Sequence, residues 1–110
     1  MADFIKKYMP AYWFVGCGRN ADYLGENNMI GFKPDKYELI ELETFWLSET
    51  PDVPGSRYAN QSVCPRVCTH AVLRPLDGGT MFHAYNTHLD HISDEARRLG
   101  ARAILDHMAR

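Results

Sequence analysis

Cysteine is the first residue type in this sequence whose spacing could support chemistry. Cys64 and Cys68 are separated by three residues, and Cys17 lies far from both. A Cys-x3-Cys pair could form half of a zinc site, but no second Cys/His pair with matching spacing lies nearby. The alternative is two reduced thiols on or just before a strand. An odd number of cysteines does not indicate a disulfide framework.

Histidine and arginine supply the other reactive side chains. His88, Asp90 and His91 could be read as metal ligands, but their spacing matches no standard metal motif. Without further information, His88 is better interpreted as a helix-capping or half-buried side chain, and Asp90 and His91 as capping or loop residues. The guanidinium of Arg66 could hold a phosphate through two hydrogen bonds, or could be solvated or salt-bridged at a strand edge.

Composition limits the partners that such residues can have. The 110 residues are 45% hydrophobic and 24% charged, with a formal net charge of −2. Disorder is therefore not expected, since disordered chains combine low hydrophobicity with high net charge. A protein that binds nucleic acid over much of its surface needs an excess of basic residues, which this sequence lacks. Any contact with phosphate must therefore come from a local site. No segment is apolar enough to span a membrane, and no signal peptide is visible, which predicts a cytoplasmic location.

The elements that must position these residues are mostly strands. Alternating apolar residues and turn signals predict five strands, at residues 12–15, 28–33, 37–47, 66–73 and 80–87. The dipeptide Asp77-Gly78 predicts a hairpin between the last two. A short helix is expected at residues 2–9, stopped by Pro10, and a second after the N-cap candidate Ser93. The pattern predicts one α+β domain, with a mostly antiparallel sheet of about five strands and a helix at each end.

Aromatic and aliphatic residues at these positions form the expected core. The aromatic side chains expected there are Phe45, Trp46, Tyr12, Trp13 and Phe82. Ala96, Leu99, Ala103 and Ile104 fall on one face of the second helix. The polar loop at residues 48–62 is long for a compact domain, and such loops often line a substrate cleft.

Two motifs go beyond general patterning. They are TFWLSETP at residues 44–51 and NTHLDH at residues 86–91. Shorter fragments follow in the matching order: VGCGR at 15–19, PGS at 54–56, CPRVCT at 64–69 and EARR at 95–98. Together they closely resemble the endonuclease/exonuclease/phosphatase superfamily, which includes deoxyribonuclease I. The resemblance covers residues 15–104, with departures at Asn27 and at His70, where the family often carries Trp.

The resemblance implies a partial domain. The family fold is a four-layer α/β/β/α sandwich, for which this chain is too short, so the chain resembles its central portion. The family pattern also includes an N-terminal Asn, a Gln-Glu pair whose Glu binds Mg²⁺, a Gly-Asp-x-Asn loop and a final Asp-His pair. The residues before 12 supply neither of the first two, no Gly-Asp dipeptide occurs in the sequence, and residue 110 comes before the expected positions of the last two. Mg²⁺ or Mn²⁺ is therefore expected for the complete domain, with no ligand motif in this chain.

The resemblance also implies roles for two residues, and two of their neighbours are further candidates. His88 matches the family histidine that donates a hydrogen bond to the scissile phosphate, and Arg66 matches an arginine near that phosphate. Asn86 alternates to the same side as His88 and is expected to orient it. Asp90 is a candidate substrate-binding residue, and the alternative is that it caps the helix.

Two functions from different classes follow. The first is a fragment of a metal-dependent hydrolase of phosphodiester or phosphomonoester bonds, inactive by itself. Its substrate would be a nucleic acid, a phospholipid headgroup or a sugar phosphate. The second is a non-catalytic remnant or interaction module that self-associates through the uncovered sheet face of an incomplete sandwich.

Overall fold

The computed structural model describes residues 12–59, 61 and 64–110. Five strands are present: β1 (Trp13–Val15), β2 (Ile30–Phe32), β3 (Tyr37–Trp46), β4 (Val67–Pro75) and β5 (Phe82–Thr87). One helix, α1 (Asp94–Met108), follows them. The five predicted strands and the α+β class are confirmed, while the helix predicted at residues 2–9 lies outside the described residues.

The strands divide into two sheets rather than one. β1 pairs with β2, β3 with β4 and β4 with β5, all antiparallel. The hairpin predicted at Asp77-Gly78 is confirmed, with Gly78 at a φ of +91°. The turn at residues 34–36 does not form a hairpin, because β2 and β3 belong to different sheets.

A bulge in β3 changes which of its residues share a face. Leu39 pairs with Leu73 and Glu41 with Val72, so Ile40 is the extra residue. A one-residue insertion reverses the facing of everything beyond it. Sequence alternation put Leu39 and Glu43 on one face, whereas the bulge places them on opposite faces.

α1 begins as predicted and covers one face of the three-stranded sheet. Ser93 Oγ accepts a hydrogen bond from Ala96 N at 3.1 Å, and acidic residues occupy the first turn. The helix packs on a core of Phe45, Leu47 and Cys68 through Ala103 and Ile104. Leu99, expected on the buried face, is 41% exposed, because Gly100 lies against Leu47 instead.

The predicted core is only partly correct. Phe45 and Trp46 are each 3% exposed, whereas Trp13 is 61% and Phe82 is 40% exposed. Trp13 lies on the two-stranded sheet, where its ring meets that of Phe32 with centroids 6.0 Å apart and most of its surface stays exposed. Aromatic residues at strand positions therefore predicted the strands better than they predicted burial.

Burial also decides the zinc hypothesis for the cysteines. Cys68 is fully buried within β4, and burial raises the pKa of its thiol to about 12. Among the described residues, the set of three donor atoms close enough to share an ion contains no cysteine. The reduced-thiol interpretation is therefore the one that the structure supports for Cys68.

Across the described residues, no helix is both long enough and apolar enough to cross a membrane.

Candidate functional site

A tight loop at residues 16–27 forms one wall of the candidate site. Gly18 N donates to Tyr23 O at 2.8 Å, and Arg19 N donates to Glu26 O at 3.2 Å. A Cβ atom on Gly18 would lie 2.3 Å from the carbonyl carbon and oxygen of Leu24, so no larger residue fits. Gly16 has a φ of +136°, which favours glycine. These two requirements explain the glycines of the VGCGR segment.

Trp46 fixes this loop to the three-stranded sheet. Its indole Nε1 donates to the backbone oxygen of Arg19 at 2.7 Å, and its ring meets Tyr23 edge-on at 6.1 Å. Trp46 is almost fully buried, so its position is set by packing. The TFWLSETP and VGCGR motifs are thus parts of one structural unit, although about 27 residues of chain separate the bonded groups.

His88 meets this loop at the carboxyl end of β5. Its Nδ1 lies 3.0 Å from Glu26 Oε1, and Arg19 Nη1 lies 3.4 Å from the other carboxylate oxygen. A carboxylate can only accept, so His88 Nδ1 is the donor. The His88 side chain is 58% exposed, which leaves the far side of its ring open to a ligand.

The electrostatics of Glu26 reflect these neighbours. The hydrogen bond from His88 lowers the pKa of the Glu26 carboxyl below its ordinary value, and the charges of Arg19, His88 and Arg66 add to the effect. Arg66 is therefore close enough to Glu26 to act on it electrostatically. Glu26 was not among the residues predicted for the site, because nothing local in the sequence links it to His88, 62 positions away.

Arg66 is buried beneath this surface. Its residue exposure is 4%, so the side chain is not solvated, and an ion pair with Asp90 is present. Nη2 donates to His91 Nδ1 at 2.9 Å, and Nε lies 3.8 Å from Asp90 Oδ1. Nε has no hydrogen-bond partner within the described structure. The guanidinium is thus held from one side by Asp90 and His91.

Asp90 and Asn86 have structural contacts. Asp90 is 3% exposed, and its Oδ2 accepts from Ile92 N and Ser93 N at 3.2 and 2.8 Å. These contacts correspond to the loop-organising alternative, and the role of Asp90 in substrate binding stays a prediction. Asn86 Nδ2 donates to Met29 O at 2.8 Å, so the contact that orients His88 in the described chain comes from Glu26 instead.

The long loop after β3 is ordered by hydroxyl groups. Ser48 Oγ lies 2.7 Å from Ser56 Oγ, and Thr50 N donates to Ser48 Oγ at 2.9 Å. Tyr58 OH donates to Leu99 O on α1 at 3.2 Å. Gly55 approaches Ala21, so the loop touches the 16–27 loop as well. Its expected role in lining a substrate cleft stays a prediction.

A separate cluster of titratable side chains lies under the last turn of α1. Within residues 12–59, 61 and 64–110, three side chains lie close enough to share a metal ion: Glu43, His70 and His107. Their donor atoms all lie within 4.8 Å of one another. Burial lowers the pKa of His70, and the neighbouring His107 and His83 lower it further.

We expect Gly18→Ala to disrupt the candidate site from a distance. The added methyl group collides with backbone atoms, which cannot move aside as a flexible side chain could. Overpacking of this kind costs about 1–3 kcal/mol. Urea unfolding should show that loss, and NMR titration of the carboxyl carbons should show the Glu26 pKa returning towards its ordinary value as the loop leaves His88.

Gly78→Ala is the matched control. Its φ of +91° disfavours alanine, yet a Cβ atom there meets nothing within 4 Å. It should cost some stability and leave the Glu26 pKa unchanged. An unchanged Glu26 pKa in Gly18→Ala as well would contradict the role assigned to the loop.

Comparison with known proteins adds to this geometry. No protein-family profile and no curated protein matches the chain. Among solved structures, an endonuclease/exonuclease/phosphatase from Bacteroides vulgatus is 36% identical with a TM-score of 0.89, over 96% of this chain and 41% of its own. A family protein from Bacteroides thetaiotaomicron is 35% identical with a TM-score of 0.90, over 97% and 39%.

A third similar structure has a more specific name. It is a mannosyl-6-phosphatase from Bacteroides thetaiotaomicron, 36% identical with a TM-score of 0.90, over 96% of this chain and 39% of its own. The chain therefore spans about two-fifths of the length of these solved relatives.

Proposed function

Because the chain belongs to the endonuclease/exonuclease/phosphatase family, we propose that it forms the phosphate-binding part of a divalent-metal-dependent phosphoesterase domain. The observation that carries this proposal is the arrangement of His88 on Glu26, with Arg66 close by. These groups come from three distant segments: the loop at residues 16–27, the residue before β4 and the residue after β5. Hydrogen-bond donors and positive charge concentrated in this way suit a phosphoryl group.

His88 is the residue that we assign to the phosphate. Its Nδ1 is engaged by Glu26, so Nε2 is the nitrogen available to a ligand. When Nε2 also donates, the ring is an imidazolium, and the carboxylate and the phosphate compensate its charge together. Fixed donors of this kind stabilise the charge that develops on phosphoryl oxygens in the transition state. Glu26 acts here as a positioning residue.

Arg66 contributes a positive charge that cannot be lost. An arginine side chain stays protonated, and its planar fork matches two phosphate oxygens. The contacts with Asp90 and His91 restrict the orientation of the Arg66 guanidinium before a substrate binds. We therefore assign Asp90 to positioning Arg66 and Asn86 to positioning the segment around Met29.

The described residues near His88 do not form a Mg²⁺ site. Mg²⁺ needs several oxygen ligands in near-octahedral geometry. The carboxylate of Glu26 is paired with His88 and Arg19, and that of Asp90 lies beside Arg66 and accepts two backbone N–H groups. We propose that the rest of the parent domain supplies the metal ligands.

The proposed substrate is a phosphate ester. Nucleic acid, a phospholipid headgroup and a sugar phosphate all present the group that His88 and Arg66 would hold. The mannosyl-6-phosphatase among the similar structures favours a sugar phosphate. Proteins that share one fold act on many different substrates, so the fold does not identify the substrate and a direct test is needed.

The test compares two proteins with one set of substrates. The 110-residue chain and the full parent domain are assayed on bis-(p-nitrophenyl) phosphate, p-nitrophenyl phosphate and mannose 6-phosphate, with Mg²⁺ or Mn²⁺. We expect turnover from the full domain alone. No turnover from either protein would contradict the proposed function. Metal-dependent turnover by the 110-residue chain, lost in its His88→Ala variant, would contradict the need for the rest of the domain.

An interaction module is the second candidate. Leu42 and Phe82, on the sheet face turned away from α1, are 44% and 40% exposed. Apolar side chains on a sheet face favour association with a second layer. A chain that sediments as a dimer, together with a full domain that hydrolyses none of these esters, would favour this candidate over the enzyme.

A further inference from the structure

The cluster under α1 has the donors of a transition-metal site. Glu43 on β3 pairs in register with His70 on β4, and His107 projects from the last turn of α1 above them. His107 Nε2 lies 2.9 Å and His70 Nδ1 lies 3.8 Å from the same oxygen, Glu43 Oε2. Three donor atoms from three separate elements thus converge on one point.

One of these donors has no hydrogen-bond partner. His70 Nδ1 is buried and unpartnered, in a side chain that is only 5% exposed. The other ring nitrogen, Nε2, lies 2.8 Å from His83 Nδ1. If His83 Nδ1 accepts the hydrogen bond, the proton of His70 is on Nε2, and Nδ1 directs a lone pair towards a carboxylate oxygen. Two electron-rich atoms that face each other in a partly buried place are stabilised by a cation between them.

The remaining contacts orient the ligands. Tyr85 OH lies 2.9 Å from His107 Nδ1, and the ring of His107 stacks on Phe45 with centroids 4.5 Å apart. Metal-bound histidines commonly use their second nitrogen in such a contact, which fixes the ring and its tautomer. If a metal takes Nε2 of His107, the proton moves to Nδ1 and the Tyr85 hydroxyl becomes the acceptor, so no proton is lost.

The distances suit a small ion of the zinc class. Bonds of about 2.0–2.1 Å in a tetrahedral site place ligand atoms about 3.3 Å apart. The observed separations of 2.9 and 3.8 Å lie on either side of that value. A cavity of about 590 Å³ adjoins the cluster, which leaves space for solvent as a further ligand. Two imidazoles with one carboxylate select Zn²⁺ or Co²⁺ over Mg²⁺.

We propose that Glu43, His70 and His107 form a binding site for a transition-metal ion of the Zn²⁺ class, separate from the phosphate site at His88. The cluster lies on the face of the three-stranded sheet that α1 covers. Asn86, by contrast, extends from the opposite face towards Met29. The site does not depend on the proposed hydrolase function, and its test needs no substrate.

The test is calorimetric titration of the metal-stripped 110-residue chain with ZnCl₂, and separately with MgCl₂. We expect one Zn²⁺ per chain and no heat of binding from Mg²⁺. His107→Gln and Glu43→Gln should each weaken Zn²⁺ binding at least about 100-fold, the upper end of what outer-shell changes cost. His88→Gln, which removes an exposed histidine elsewhere, should leave the affinity unchanged.

A second measurement on the unaltered chain protects against variants that fail to fold. The ring signals of His70 and His107 in a ¹H–¹⁵N spectrum should shift on addition of Zn²⁺, while those of His88 stay in place. No Zn²⁺ binding, or ring shifts confined to His88 and His91, would overturn the proposal. Equal loss of affinity in His88→Gln and His107→Gln would overturn it as well.

Discussion

Replacing His88 with alanine in the full parent domain is expected to lower kcat/KM for the phosphate ester by about 10²–10³-fold, the usual cost of losing one fixed donor to a developing oxyanion. The side chain is 58% exposed and lies at the end of a strand, so stability should hardly change. Initial rates and urea unfolding, measured on the same preparation, separate the two effects.

Two further variants test how His88 is positioned and whether the effect is specific. Glu26→Gln retains the shape of the side chain and removes the charge that faces His88, so we expect a loss of about 10–100-fold, in the range for residues that orient a functional group. Arg102→Ala removes a positive charge from the exposed face of α1, where the arginine pairs with Asp106, and should leave the rate unchanged. If the His88→Ala domain were as active as the unaltered domain, that result would contradict the assignment of His88 to the phosphate.

Replacing Arg66 with alanine should destabilise the 110-residue chain by about 3–5 kcal/mol, because it leaves a buried carboxylate without its cation. Asp90 is only 3% exposed and lies 3.8 Å from the guanidinium, so water cannot replace the lost charge. The midpoint and slope of urea unfolding give the change in the free energy of unfolding. A domain of this size could lose most of its stability from this one change.

The double variant tests whether charge is the cause. Arg66→Met combined with Asp90→Asn removes both charges while retaining an oxygen for Ile92 N and Ser93 N, so it should cost less than Arg66→Ala. Arg102→Ala breaks an exposed pair and should cost about 0–1 kcal/mol. A loss below about 1 kcal/mol in Arg66→Ala would show that Asp90 does not depend on Arg66, contrary to the packing described above.

Much of the local structure could be predicted from the sequence, because local signals are sufficient for it. The strand-forming residues of β4 and β5, the Asp77-Gly78 turn and the Ser93 cap are each recognised from residues a few positions apart. The motifs at residues 44–51 and 86–91 indicated the family for a similar reason, since they retain residue types that backbone geometry and packing demand. Gly18 and Trp46 illustrate this, because a steric limit and one indole hydrogen bond explain them.

What the sequence could not predict are the contacts between distant segments. The partner of His88 is Glu26, and His70 appeared in the sequence only as a departure from the family pattern. Both became meaningful once strand pairing placed Glu43 opposite His70 and the helix placed His107 above them. The single bulge at Ile40 decides which side of β3 faces that helix.

The physical reason is that local preferences act over a few residues, whereas burial and register are properties of the whole fold. The strand pattern predicts Arg66 as the first residue of a strand, but only the tertiary structure makes it a buried cation beside Asp90. The sequence by itself therefore determined the family, the elements and His88 as the first candidate. The tertiary structure decided what holds His88 and Arg66 in place, and it brought together the second cluster of ligands on the helix side of the sheet.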